Sequence, residues 1–201
     1  MIRLAVELSL PEGSVAVERD GEVVSQVSWL RPKLHAEVVY SQIERALNLA
    51  GVNKREIEEV VVSSGPGSFT GVRLSVTLGK AFKAAGFTVL CATTLGALAQ
   101  GYEELGFTPV PLIPARRGRV YAQIGREFLD AELPFIIERL KKLPNPLIVY
   151  KGEVELPEGV KAVKEKTPLA VKLLAVPRGE LSPLTFHYVR EHDAKPQNRA
   201  L

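Results

Sequence analysis

The segment Ser64-Gly65-Pro66-Gly67-Ser68-Phe69-Thr70-Gly71-Val72-Arg73 lies between a strand-like run and a helical one. Backbone N–H groups and the positive end of a helix favour an anion at such a junction. Gly65, Pro66, Gly67, Ser68, Phe69, Thr70, Gly71 and Arg73 therefore form a candidate anion loop. The common phosphate loops are not matched in detail. The Gly-Lys-Ser/Thr ending of a P-loop is missing, and Thr70 stands where a dinucleotide fingerprint requires glycine. The competing reading is a tight turn in which Ser68 or Thr70 caps the helix that follows.

Phosphoryl transfer at this loop would need carboxylates at strand ends to hold Mg²⁺. The chain has three aspartates: Asp20 in a turn, Asp130 at the start of a helix or loop, and Asp193 near the end. Glu7, on the first strand, is the one acid placed to substitute. The histidines are His35, His187 and His192, with no His-Glu-x-x-His motif. Val39 follows His35 by one helical turn, and His187 and His192 stand about 140° apart on a helix, so no zinc pair is predicted. Cys91, inside a predicted strand and without a neighbouring histidine, reads as a buried thiol. As the single cysteine, it also excludes an internal disulfide and points to a reducing compartment. No catalytic residue, metal ligand or cofactor is assigned. Arg116, Arg117, Arg119 and Arg126 gather positive charge, either as a solvated hairpin face or as a nucleic-acid contact.

The elements that must position these groups follow from periodicity. Residues 2–9, 14–18 and 23–30 read as three antiparallel strands, the last two joined at Asp20-Gly21. From His35 to Gly51, Ala36, Val39, Tyr40, Ile43, Ala46, Leu47 and Ala50 recur at helical steps and predict one buried face. A strand over 59–64, a helix over 69–85 and a strand over 88–92 complete a β-β-β-α-β-α-β order, that of a ribonuclease-H-like half. The second half echoes it, with a helix over 93–105, a hairpin about Arg116-Arg117-Gly118, a helix over 132–143, a strand over 147–150 and a helix over 168–176. The predicted division is 1–98 and 99–201.

The helix over 69–85 is held by packing rather than propensity, since Val72, Val76, Thr77 and Gly79 are poor helix formers. It is apolar around most of its circumference, which requires cover on more than its sheet side. Gly71, Ser75 and Gly79 recur every four residues, a ridge without bulk that another helix can approach closely.

Composition sets the outer bounds. The 201 residues are 46% hydrophobic and 24% charged, enough for a core without staples. Net charge is +3, with the excess in the second half, and this alone does not call for nucleic acid. No run approaches the eighteen apolar residues of a membrane span, and because the sequence enters a strand pattern at once, no signal peptide is expected. Cytoplasmic residence is expected. Nine Asn and Gln together, with one Met and one Cys against fourteen Pro, match a thermophile profile.

The block Gly65-Pro66-Gly67-Ser68-Phe69-Thr70-Gly71-Val72-Arg73 resembles the hallmark of the TsaB (YeaZ) family. Its setting is similar too: the strand Leu4-Ala5-Val6-Glu7-Leu8-Ser9, the helix start His35-Ala36-Glu37, the run from Ala115 to Tyr121, and Tyr188-Val189-Arg190. The resemblance implies an α/β, actin-like (ASKHA, ribonuclease-H-like) two-domain fold with mixed sheets and a degenerate nucleotide cleft. It implies a non-catalytic partner of TsaD in threonylcarbamoyl transfer to the adenosine beside the tRNA anticodon, with TsaE in a ternary complex and a homodimer when alone. Glu7 departs from the family's usual Asp, and Pro114 from its usual acidic residue, which weakens cation or nucleotide binding and leaves assembly untouched. Expected interface residues are Val38, Gln42, Arg45 and Leu49 on the first helix and Gly71, Ser75, Leu78, Gly79 and Phe82 on the second. Ser75→Arg should then block association and leave the monomer folded. An ATP-dependent enzyme, and direct tRNA contact through Arg116, Arg117, Arg119 and Arg126, are the alternatives.

Overall fold

Asp20 and Gly21 both adopt left-handed backbone, at φ 52° and 88°, the geometry of a two-residue turn whose twist matches its flanking strands. This turn joins β2 (Gly13–Arg19) to β3 (Glu22–Trp29), and β2 also pairs antiparallel with β1 (Ile2–Glu7). The structure, a computed structural model, describes residues 1–185. Tyr188, Val189, Arg190, His187, His192 and Asp193 therefore lie outside the described residues.

Helix α1 (His35–Ala50) ends where Gly51 takes φ 60° and returns its N–H to the Leu47 and Asn48 carbonyls. Strand β4 (Glu59–Ser63) pairs parallel with β1, α2 (Phe69–Ala84) crosses over, and β5 (Thr88–Ala92) pairs parallel with β4. Next come α3 (Thr94–Ala99), β6 (Thr108–Pro114), β7 (Val120–Ile124), β8 (Glu127–Ala131), α4 (Leu133–Leu140), β9 (Pro146–Tyr150), β10 (Ala162–Lys164), α5 (Leu169–Ala175) and β11 (Ser182–Pro183).

The first sheet runs β11-β5-β4-β1-β2-β3 and the second β10-β9-β6-β7-β8. Setting β11 aside, the two share one plan. In each, a three-strand antiparallel meander is followed by a helix and two strands, one pairing parallel with the first strand of the meander and the other pairing parallel with that added strand. The second half has no counterpart of α2.

The halves interlock. Helix α3, which follows the first sheet, packs on β6, β7 and β9 of the second; α5, which follows the second, packs on β1, β2 and β4 of the first. The layers run α1/α2, first sheet, α3/α5, second sheet, α4. Period-2 alternation along β1 supplies both faces: Leu4, Val6 and Leu8 enter the core under α1 and α2, while Ala5 enters the core between the sheets. A buried ion cluster reinforces the join. Arg3 donates to Glu59 at 2.9 Å, to Glu18 at 3.3 Å and to the Leu174 carbonyl at 3.0 Å, at the C-terminal end of α5 where a cation is favoured.

Several expectations shift. The helix expected over 93–105 stops at Ala99, because Gly101 and Gly106 take positive φ. The helix expected over 132–143 spans only Leu133–Leu140, and β8 precedes it, so Asp130 is a strand residue. Strands β10 and β11 were not anticipated. The predicted division at 98/99 runs through α3.

Candidate functional site: the loop before α2, the helical face and the cleft

The loop from Ser64 to Gly71 is built against the end of β1. Ser64 donates its amide and its hydroxyl to the Ala92 carbonyl, at 2.9 and 3.1 Å, and the Thr94 amide donates to the Gly65 carbonyl at 2.8 Å. The Ser68 amide donates to the Ser9 carbonyl at 2.8 Å, and the Ser68 hydroxyl caps α2 by accepting from the Gly71 amide at 3.1 Å. A Cβ on Gly67 would lie 2.5 Å from the Ser9 carbonyl oxygen. One on Gly71 would lie 2.6 Å from Ser68 Oγ and closer still to the Leu8 carbonyl oxygen. The glycines thus serve contact with the chain's own backbone, and the amides of Ser68 and Gly71 are spent internally. The capped turn expected at Ser68 is present. Arg73 stacks over Phe69 at 5.2 Å, and Thr70 is exposed.

Beneath the loop, Glu7 is fully buried. One carboxyl oxygen accepts from the Ser9 amide at 2.5 Å, the Leu10 amide at 3.2 Å and the Ser9 hydroxyl. The other has no hydrogen bond of standard geometry. Burial raises the Glu7 pKa, against the lowering effect of the Ser63 and Ser9 hydroxyls and the Ser9 and Leu10 amides. Asp20 pairs with the amino terminus, and Asp130 with Arg119 at 2.6 Å. Among the described residues no three His, Cys, Asp or Glu side chains are grouped to hold a metal ion.

His35 is buried: its Nδ1 accepts from Trp29 Nε1 at 2.9 Å and its Nε2 lies 2.9 Å from the Leu10 carbonyl, an Nε2–H tautomer in a structural bridge. Cys91 is buried with Sγ 3.2 Å from the Pro183 carbonyl.

The helical faces correct the expected interface. Gly71, Ser75 and Gly79 are buried against the chain's own sheet. Ser75 meets the Ser63 hydroxyl at 3.2 Å, and a Cβ on Gly79 would sit 2.9 Å from Leu184. The bulk-free ridge accommodates β4, residues 8 and 9 after β1, and Leu184 after β11. Leu78 and Phe82 are half-buried on the first core. On α1, Val38 and Gln42 are half-buried, while Arg45 is exposed and Leu49 is 63% exposed. Ala36 and Tyr40, expected in the buried face, are exposed, Tyr40 by 65%. Its hydroxyl bonds to Glu44, which together with that charge raises the Tyr40 pKa. Tyr40 sits at the edge of the apolar arc, where one helical step separates core from solvent; its i, i+4 glutamate was the available signal.

The four arginines do not form one patch. Arg119 is tied to the Asp130 carboxylate and carbonyl across β7 and β8. Arg126 follows the far end of β7, on the order of 20 Å from Arg116 and Arg117 at strand rise. Those two occupy the β6–β7 turn beside a cleft of about 1370 Å³ between the sheets. The C-terminal ends of the parallel strands β6, β9 and β10 open onto it, as ligand sites in α/β sheets do. Ser9 and Leu10 are buried at its inner end, Phe69 and Tyr121 half-buried, Arg116 and Lys166 exposed.

Residues 29–161 match the family model of TsaD, the tRNA N6-adenosine threonylcarbamoyltransferase. The tRNA threonylcarbamoyladenosine biosynthesis protein TsaB of Bacillus subtilis (strain 168) is 29% identical over 122 residues, 60% of this chain and 53% of that protein. TsaB of Escherichia coli (strain K12) is 31% identical over 121 residues, 59% of this chain and 52% of that protein. The chain thus spans about half the length of the curated TsaB relatives it matches. YeaZ from Pseudomonas aeruginosa shares the fold, with a TM-score of 0.69 at 24% identity over 90% of this chain and 96% of that one. Glycine loop, paired strand orders and matched region agree: the chain belongs to the TsaD-type domain family, in its TsaB (YeaZ) branch, with the actin-like (ASKHA, ribonuclease-H-like) fold.

Proposed function

We propose that the chain is a non-catalytic subunit of cytoplasmic tRNA threonylcarbamoyladenosine synthesis, docking on TsaD through the outer flanks of α1 and α2. In this reading TsaE joins a ternary complex and the free chain pairs with a second copy. The observation that carries it is the flank Val38, Gln42, Arg45 and Leu49: it ends in a leucine 63% exposed, which the chain's described residues leave uncovered. On α2 the outward side is Thr70, Arg73, Thr77 and Ala81, with Leu74 and Leu78 on its margin. Gly71, Ser75 and Gly79 take no part.

The non-catalytic assignment is supported by the site described above. The carboxylate nearest the glycine loop is sealed from solvent, the amides of Ser68 and Gly71 are engaged, and Asp20 and Asp130 are occupied in ion pairs.

Leu49→Asp tests the reading. Its site is exposed, so monomer stability should change by no more than about 0.5 kcal/mol. Size exclusion with light scattering should show the wild-type chain eluting with TsaD as a heterodimer and the variant eluting alone. A heterodimer that survives Leu49→Asp refutes this face.

A further inference from the structure

The cleft between the sheets is positive at its mouth for a specific reason. Each carboxylate that lines it is engaged: Glu12 with Lys151 at 3.2 Å, Glu153 with Lys164 at 2.8 Å, and Glu165 with Lys172 at 3.0 Å. Burial alone would raise the Glu165 pKa, but the Thr167 amide, the Tyr102 hydroxyl and Lys172 outweigh it and hold it at about 2. Arg116 and Lys166 also line the cleft and have no ionic partner among the described residues; the same is true of the exposed Arg117 beside Arg116. At the inner end the polarity is reversed from that of a phosphate pocket. The Ser68 and Gly71 amides are spent on Ser9 and on the cap, and Leu10, Phe69 and Tyr121 present apolar and aromatic surface. A ligand seated here turns a flat apolar body inward and keeps its negative charge outside. The volume of about 1370 Å³ exceeds the roughly 300–1,000 Å³ of a small-molecule pocket, so the cleft is open to a passing chain.

We propose that the cleft receives one unstacked nucleotide of a single-stranded RNA segment. Its base lies against Phe69 and Tyr121, and its flanking phosphates are held by Arg116, Arg117 and Lys166. Single-stranded RNA is recognised in this way, by stacking on aromatic rings with cations along the backbone. A free nucleotide is the poorer fit, because its phosphate chain would need the donors already used at the inner end. The inference rests on the tRNA-synthesis reading only for the identity of the RNA.

The test uses the full chain and a fluorescein-labelled RNA nonamer with 2-aminopurine at its centre. Binding should weaken at least tenfold in Arg116→Ala/Arg117→Ala/Lys166→Ala. The slope of log affinity against log salt should fall by about 2, three contacts at about 0.7 each. Ala115→Trp, which narrows the cleft beside Arg116 without changing charge, should keep the salt slope and lose the 2-aminopurine response. Millimolar ATP should not displace the RNA. The proposal is overturned by absent RNA binding, by a salt slope unchanged in the triple variant, or by a 2-aminopurine response that persists in Ala115→Trp. Displacement by ATP, or binding of a Glu/Phe-rich acidic peptide in place of RNA, overturns it equally. Size exclusion of the triple variant with TsaD keeps the two readings apart. A heterodimer without RNA binding removes this inference alone, and RNA binding without a wild-type heterodimer removes the partner reading alone.

Discussion

Gly71→Ala separates a ridge used by the fold from a ridge used by a partner. The added Cβ would lie 2.6 Å from Ser68 Oγ, 3.0 Å from Ser9 Cα and closer still to the Leu8 carbonyl oxygen. Two of these neighbours are backbone and cannot swing aside. Overpacking at the upper end of its usual range costs about 3 kcal/mol, loss of the Ser68 cap about 1 kcal/mol, and the helix propensity of alanine returns about 1 kcal/mol. The net is a loss of about 3 kcal/mol, which for 201 residues lowers Tm by about 6–12 °C. Thermal and urea unfolding of the isolated chain measure it, with Gly179→Ala as control, since nothing lies within 4 Å of a Cβ there. The control should stay within about 0.5 kcal/mol of wild type. A Gly71→Ala monomer that melts within 1 °C or so of wild type while failing to associate with TsaD would refute the assignment of this ridge to the sheet.

Two further perturbations probe the buried charges. The Glu7 pKa is raised above its ordinary 4.5, so the native state holds its proton at pH values where the unfolded carboxyl has ionised, and stability falls as pH rises through that window. Glu7→Gln keeps an acceptor for Ser9 and Leu10 and should raise Tm at pH 8, with the gain vanishing below pH 4.5; a gain independent of pH would contradict this. Arg3→Leu strands Glu59, which is 1% exposed, and should cost about 3 kcal/mol in urea unfolding, the low end for a broken buried pair because Arg178 still reaches Glu59 at 3.0 Å. Adding Glu59→Gln should recover part of the loss, and no recovery would mean that the Leu174 contact dominates.

The elements that were legible are those with strong local periodicity. Helix α1 begins at His35 and ends at Gly51 as its apolar spacing and terminal glycine indicate, and the Asp20-Gly21 turn sits where its dipeptide places it. Strands β8, β10 and β11 were missed because each is five residues or fewer and takes its conformation from a neighbour: β8 from β7, β10 from β9, β11 from β5. Arg116, Arg117, Arg119 and Arg126 are close in sequence, yet a five-residue strand sends Arg126 to the opposite end of the hairpin. Asp130, expected at the start of a helix or loop, neutralises Arg119 because antiparallel pairing brings β8 alongside β7.

Helix α2 marks the boundary most sharply. Its amphipathy is weak, with apolar or small residues on most sides, so periodicity shows that it must be covered but not by what. The sequence by itself determined the order of elements in the first half, the capped glycine turn and the family, because these depend on residues adjacent along the chain. Only the tertiary structure decided that the small-residue ridge lies on β4 and the segment after β1, that α3 and α5 exchange sheets, and that Arg116 and Lys166, without an ionic partner among the described residues, line one cleft. Each of those rests on contacts between segments tens of residues apart, whose mutual placement no local pattern encodes.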